Sequence, residues 1–426
     1  MKKTYFWNTL SGLIMAFQSV VMLMILMRVC DVYVAGVFTI AYANANLFLN
    51  IGKYGVRNYQ ASDVRTAYSF RDYAAARAAS SIAMLVCGTA YLAWSAVTLG
   101  YDMNKTLVIF FMCAFKLVDA IEDVYHGDYQ RQGRLDIAGK VLSLRLATTL
   151  AVFGGFVIAT GDLLVSLVIS TVYTAIFFLL SVWYVRRRYG MPSPHRVEGK
   201  KRNASERESS RSTIVAAKQL LKDCFPLFLA AFLLFYIGNA PKYAIDACLG
   251  DAEQAYYGFI SMPVFFVGLL ASFVYAPIIT PLSRMWSEGD IKGFTKVFAK
   301  QILIVLAITA ICDVATLIAG VPVLSIMYNV DLSPYLVELI ILVSGGGFLA
   351  LATLFTLGIT IVRRQEKLIW GYLGVSLSAL CASPLIVQNY GITGASWEYL
   401  ALMAVLSTWF GVLFAFVVIQ NRKRQV

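Results

Sequence analysis

The chain has 426 residues, of which 59% are hydrophobic and 14% charged, with a formal net charge of +12 and a mean hydropathy of +0.70. A water-soluble domain carries roughly 25% charged residues, so this composition excludes a soluble fold and predicts an all-α integral membrane protein. Only two histidines, His126 and His195, and seven cysteines without a CxxC spacing argue against a metal or redox centre.

The N-terminal stretch MKKTYFWNTLSGLIMAFQSVVMLMILMRVCD is too long for a signal-peptide core and closes on Arg28 and Asp31. It reads as a retained first span. Runs long enough to cross a bilayer, about 20 residues each, predict twelve transmembrane helices at 5–27, 32–51, 75–98, 106–125, 137–159, 163–185, 224–243, 256–280, 301–320, 336–361, 368–387 and 394–419. Of the 36 lysines and arginines, 32 fall at the two termini or after even-numbered spans, Arg57, Arg77 and Arg145 among them. The positive-inside rule makes that side the cytoplasm and puts both termini there. The net charge is then an orientation signal and not a nucleic-acid footprint.

Residues 186–217, RRRYGMPSPHRVEGKKRNASERESSRSTIVAA, are polar and basic. They read as a cytoplasmic linker between an N-terminal six-helix lobe (1–185) and a C-terminal one (218–426). The Asn203 sequon inside it would face the cytoplasm and carry no glycan. Six spans per lobe give both lobes the same orientation, so a repeat axis would run along the membrane normal. RVCDVYVAGVF at the second span and DACLGDAEQAYYGFI at the eighth echo each other weakly. All ten prolines lie at 192 or beyond. They predict bent, cavity-lining helices in the second lobe, or else reflect the ordinary frequency of proline in membrane helices. SGGG at 344–347 predicts looseness in the tenth span.

Three clusters place polar groups where lipid is expected. In FKLVDAIEDVYHGDYQ the fourth span carries Lys116, Asp119 and Asp123 at i, i+3 and i+7, on one helix face. Lys116 falls ~15 Å in, near the middle of a ~30 Å core. Each such charge costs ~2.5–3.5 kcal/mol facing lipid, so the cluster is either an interhelical ion pair or the wall of a polar pathway. NAPKYAID, 239–246, carries Lys242 and Asp246 behind Pro241, which predicts an end or kink of the helix. Lys242 either snorkels to the outer interface or belongs to a gate. YGVRNYQASD, 54–63, sets Arg57, Asn58 and Gln60 between tyrosines. Arg28 is the one arginine off the cytoplasmic side, and a guanidinium suits phosphate by its bidentate fork.

YGVRNYQASD, FKLVDAIEDVYHGDYQRQGRLDIAGK and NAPKYAID…EQAYYGFISMPVFFVGLLASFVYAPIITPL together resemble the Wzx-type O-antigen and polysaccharide repeat-unit flippases. These belong to the multidrug/oligosaccharidyl-lipid/polysaccharide (MOP) exporter superfamily, and the resemblance runs from the first span to the twelfth. It implies a MATE-like fold of two six-helix lobes and a multi-pass protein of the bacterial inner membrane. The implied substrate is an undecaprenyl-pyrophosphate-linked oligosaccharide, moved by alternating access with an H+ or Na+ gradient as the driving force and no other cofactor. The implied partners are the lipid bilayer, a polysaccharide polymerase and a chain-length regulator. On this reading Arg28, Arg57, Lys116 and Lys242 meet the diphosphate. Asn58, Gln60, Gln130, Asn239 and Tyr243 meet sugars, and Asp119, Asp123 and Asp246 carry the coupling ion. Acids among so few cations leave the ion, and strict coupling, open. Two rivals stand beside it. One is a MATE-like multidrug exporter. The other is a membrane-embedded polysaccharide polymerase or ligase, disfavoured by short outer loops and the lack of a DxD or DDxxD motif.

Overall fold

A computed structural model of the chain describes residues 2–63, 67–191 and 206–425. The middle of the expected linker, with His195 and Asn203, lies outside the described residues. The helices are α1 Lys2–Val29, α2 Val32–Lys53, α3 Val56–Ser62, α4 Phe70–Thr98, α5 Met103–Arg131, α6 Leu135–Thr160, α7 Leu163–Tyr189, α8 Glu206–Cys248, α9 Asp251–Ser261, α10 Val264–Tyr275, α11 Ile279–Ser287, α12 Ile291–Ala315, α13 Val321–Tyr328, α14 Leu336–Ile361 and α15 Leu368–Gln425. Side-chain caps fix several helix starts. Asp31, Asp102 and Asp162 accept from the backbone N–H groups of Val34, Lys105 and Val165, and Ser69 forms a reciprocal capping box with Asp72. The echo noted between the second and eighth spans is partly this punctuation, since Asp31 caps α2 and Asp251 opens α9.

Among the described residues, ten helical stretches are long and apolar enough to cross a bilayer. Two particulars raise ten to the twelve expected. The charged α5, 29 residues long, would span ~44 Å, yet its charges keep it out of a hydropathy count. The 58-residue α15 is two helices joined at Gly391, where φ 58 and ψ −141 break the helical backbone. Prolines mark several other breaks in the second half: Pro277 lies in a 3-10 turn, Pro322 opens α13 after a π-turn at 316–320, and Pro334 lies in the turn before α14. Pro241 behaves otherwise. α8 continues through it to Cys248, against the expectation of a break there.

The chain divides into two compact units, Met1–Phe232 and Leu233–Val426. The division falls inside α8, later than the 186–217 segment, and residues 206–217 are helical. The reason is apolar. Ala217, Leu220 and Cys224 of α8 are buried in one cluster with Val56, Tyr73, Ala76 and Val124, and Phe228 stacks on Tyr54 at 4.3 Å.

In the first unit α5 is central and packs against α2, α3, α4, α6 and α7. In the second, α14 is central and packs against α9, α10, α11, α12 and α15. Counted by spans, each is the fourth of its half, which agrees with an internal repeat. Phe294, Phe298, Phe355 and Phe414 form the aromatic core at one end of α14, with the rings of Phe298 and Phe414 4.1 Å apart.

The SGGG segment is tight, not loose. Gly345, Gly346 and Gly347 are buried in α14, and they admit Tyr399, Val264 and Thr309 from three neighbouring helices. A Cβ at Gly345 would fall 2.7 Å from the Tyr399 ring. Gly345→Leu is therefore expected to destabilise the protein by about 1–3 kcal/mol, the usual cost of overpacking. Thermal melting in detergent checks it; an unchanged midpoint would contradict the packing.

Candidate functional site

The charges of α5 do not face lipid. Lys116 lies 13 residues after Met103 and 15 before Arg131, at the midpoint of α5, and it is 2% exposed. Its Nζ donates to Gln18 Oε1 at 3.0 Å, Asp119 Oδ2 at 3.2 Å and Tyr42 OH at 3.3 Å. The expected Lys116–Asp119 pair is thus present, and further bonds reach α1 and α2.

Two arginines that a count of cytoplasmic charges had absorbed complete the cluster. Arg145 stands 10 residues into α6, ~15 Å from its start, and is 1% exposed. Its Nη2 reaches Asp119 Oδ1 at 2.5 Å and Glu122 Oε2 at 2.8 Å, and its Nη1 donates to Thr174 on α7 at 2.7 Å. Arg77 on α4, also buried, donates from Nη2 to Asp123 Oδ2 at 2.7 Å and from Nη1 to the Gly52 carbonyl at 2.5 Å. Glu122 Oε1 lies 3.5 Å from His126 Nε2. The alternation of basic loops survives without Arg77 and Arg145, but neither belongs in it. The available signal was position: both fall inside spans expected from hydropathy, at 75–98 and 137–159. Gln18, Tyr42 and Thr174 carried no signal, because hydroxyls and amides are common in membrane helices.

Arg57 is the open edge of this network. Tyr54 and Gly55 both take left-handed backbone (φ 49 and 67), which ends α2 and turns the chain into the short α3. The Tyr54–Phe228 stack holds that turn. Arg57 emerges with 31% of its side chain exposed. Its contacts are long, 3.3 Å from Nη1 to Asp123 Oδ1 and 3.4 Å from Nη2 to Gln130 Oε1. Four cations (Arg57, Arg77, Lys116, Arg145) thus face three carboxylates (Asp119, Glu122, Asp123), through side chains and a carbonyl drawn from all seven helices α1–α7.

Other expected site residues are placed differently. Asn58 is exposed beside Arg57. Gln60 is fully buried with neither amide atom hydrogen-bonded, packed against Gly127, so it offers nothing to a sugar in this arrangement. Arg28 is exposed in the last turn of α1, ten residues or ~15 Å along the axis from Gln18. The structure does not bring it to the Lys116 cluster.

In α8, Tyr236, Asn239, Lys242, Tyr243 and Asp246 fall within a ~120° arc at 3.6 residues per turn, and all five are half-buried. Tyr236 stacks on Tyr243 at 5.9 Å, and Asn239 donates back to the Phe235 carbonyl at 3.0 Å. No hydrogen bond or ion pair of Lys242 is found among the described residues.

The second unit holds acids of another kind. Glu398, 4% exposed on α15, accepts a hydrogen bond from Ser383 through Oε1, and its Oε2 has no hydrogen-bond partner. Glu338 on α14 accepts from Thr393 at 2.5 Å and leaves its own Oε2 without a partner. No basic side chain pairs with either among the described residues. Together the two carboxylates brace the Gly391 break: Ser383 lies before it, Thr393 and Glu398 after it. Neither glutamate was singled out from the sequence, where each is one acid in a long apolar run. No group of three or more His, Cys, Asp or Glu that could hold a metal ion occurs among the described residues.

No protein-family model matches the chain, and no curated protein matches it. Solved structures do. A multidrug resistance MATE family transporter of the MOP superfamily, in its inward-facing conformation, aligns with a TM-score of 0.66 and 11% identity over 96% of this chain and 96% of its own. A MATE structure in complex with MaL6 aligns at 0.62 and 12% identity, over 99% and 96%. An outward-facing multidrug resistance MATE family transporter aligns at 0.54 and 12% identity, over 99% and 96%. The fold is therefore MATE-like, an all-α membrane architecture shared over nearly the whole length.

Proposed function

We propose that this MATE-like protein is a lipid-linked oligosaccharide flippase that carries an undecaprenyl-pyrophosphate-linked repeat unit across the bacterial inner membrane by alternating access. One observation carries the reading: a cation-rich polar network at the heart of the first unit, with Arg57 as its weakly held, solvent-reaching edge. A diphosphate head group cannot cross hydrocarbon unless donors replace its water. Arg57 presents a planar fork whose two bonds are long enough to be exchanged for phosphate oxygens. Gln130 and the exposed Asn58 stand beside it for sugar hydroxyls, and Asn239, Tyr243 and Lys242 form a second polar face on α8.

The fixed cations serve a different end. Arg77 and Arg145 are each held by at least two short bonds and Lys116 is buried among three acceptors, so these cations support the site instead of meeting cargo. The ion-coupling role shifts likewise. Asp119 and Asp123 are each paired with two cations, so Glu398 is the better carrier of a coupling H+ or Na+. A carboxylate so buried, with no basic partner among the described residues, must have its charge balanced by a proton or a metal ion. Asp246 remains a candidate at the end of α8.

In a bacterium lacking its own repeat-unit flippase and supplied with this chain, surface polysaccharide is expected to return. Arg57→Gln is expected to lower it about tenfold at equal membrane abundance, the effect of losing a charge-assisted contact of ~1.5 kcal/mol. Efflux of a cationic dye in the same cells addresses the rival. Dye efflux without polysaccharide export would replace this proposal with a multidrug exporter.

A further inference from the structure

On α12 of the second unit the exposed large side chains are aliphatic, Leu303, Leu306, Ile311 and Val314 among them. The two halves of α15 differ. Between them lies a groove of about 870 Å³ lined by Trp370, Val405, Trp409, Val412 and Phe416, with Lys367 at one end. This is the size of a small-molecule site. Two features make it concave. Gly374, exposed one turn after Trp370, places no side chain on that face. Gly371 lets Trp409 pack down, since a Cβ there would meet the Trp409 ring at 2.7 Å.

The groove has a polar end and an apolar body. Lys367 lies in the turn between α14 and α15, with Nζ 5.6 Å from the centroid of the Phe416 ring. From Phe416 the apolar wall runs back eleven residues to Val405, ~17 Å along the helix, against ~15 Å for half a bilayer core. Its length is thus one leaflet, which suits an acyl chain and falls far short of a long isoprenoid. A lysine at the level where the head group would lie supplies the matching charge.

We propose that this groove is a binding site for one anionic glycerophospholipid, its phosphate on Lys367 and an acyl chain along Trp370, Trp409 and Val412. The site stands whether or not the chain carries lipid-linked sugars.

Bromine on an acyl chain quenches tryptophan at contact, and two of the seven tryptophans line the groove. The full chain would be placed in phosphatidylcholine vesicles containing a minor fraction of phosphatidylglycerol. In one series the phosphatidylglycerol carries brominated chains; in the other an equal fraction of phosphatidylcholine does. Brominated phosphatidylglycerol is expected to occupy the groove about fivefold above its mole fraction, the bias that one cation near the surface gives. Brominated phosphatidylcholine is expected to quench only in proportion. Lys367→Gln should abolish the excess, and the double variant Trp370→Phe/Trp409→Phe should remove the signal that reports it. Equal quenching by the two lipids in the unaltered chain, or an undiminished excess in Lys367→Gln, would overturn the site.

Discussion

Replacing Arg145 by alanine is expected to be among the most damaging single changes in the first unit, at about 3–5 kcal/mol, the cost of stripping one partner from a buried ion pair. Arg145 is the cation that Asp119 and Glu122 share, at 2.5 and 2.8 Å. Its loss affects them unequally. Asp119 keeps Lys116 at 3.2 Å. Among the described residues Glu122 keeps only His126 at 3.5 Å, a contact that is ionic only if the imidazole is protonated. The pairing therefore predicts an order of rescue. Adding Glu122→Gln to Arg145→Ala should recover more stability than adding Asp119→Asn, because it neutralises the carboxylate left without a cation. Thermal melting of the purified variants measures both. Equal rescue by the two second changes would show that the network does not partition its charge as the distances indicate. Arg145→Lys is expected to fall between: it keeps the charge but cannot reach Asp119, Glu122 and Thr174 together, which takes a guanidinium's planar fork.

The same network shows what a sequence can and cannot disclose. The apolar helices were legible because each needs a long apolar run, and the fourteenth helix matches the expected 336–361 to the residue. The Lys116–Asp119 pair was legible because i, i+3 spacing is a local geometric fact. Arg145 was not, although it lies inside an expected span. A rule that assigns basic residues to the cytoplasmic surface works on totals, and a buried arginine whose partners sit 23 and 26 positions away leaves the total almost unchanged. Gln60 shows the opposite limit. Its amide suggested a sugar contact, but helical phase turned it against Gly127, a contact between separate helices that no local pattern reports. The SGGG segment failed because glycine has two uses in a membrane helix. It loosens a backbone that stands alone, and it admits neighbours to one that is surrounded; α14 is surrounded.

On the proposed ion-coupled transport, Glu398→Gln is expected to leave the fold intact and remove the response of export to an ion gradient. Glutamine is nearly isosteric, and its amide oxygen can still accept the Ser383 hydroxyl that Oε1 accepts now. What it removes is the charge, and with it the capacity to take up and release a proton or cation. The location gives that capacity a mechanical consequence. Ser383 and Glu398 lie on opposite sides of the Gly391 break, and Thr393 just beyond the break is tied to Glu338 on α14. An ionised Glu398 must draw a cation or water toward Oε2, whereas a neutral one need not, so the two states favour different geometries of the bent α15. Coupling energies between an ion and a conformational equilibrium are typically 1–3 kcal/mol. Export driven by an imposed gradient in vesicles should therefore fall about tenfold in Glu398→Gln, to the level of the unaltered protein without a gradient. Running the assay under a proton gradient and then a sodium gradient identifies the ion. A Glu398→Gln protein that still responds to either gradient as strongly as the unaltered chain would move the coupling site elsewhere, and Asp246 on α8 would then be the next carboxylate to test.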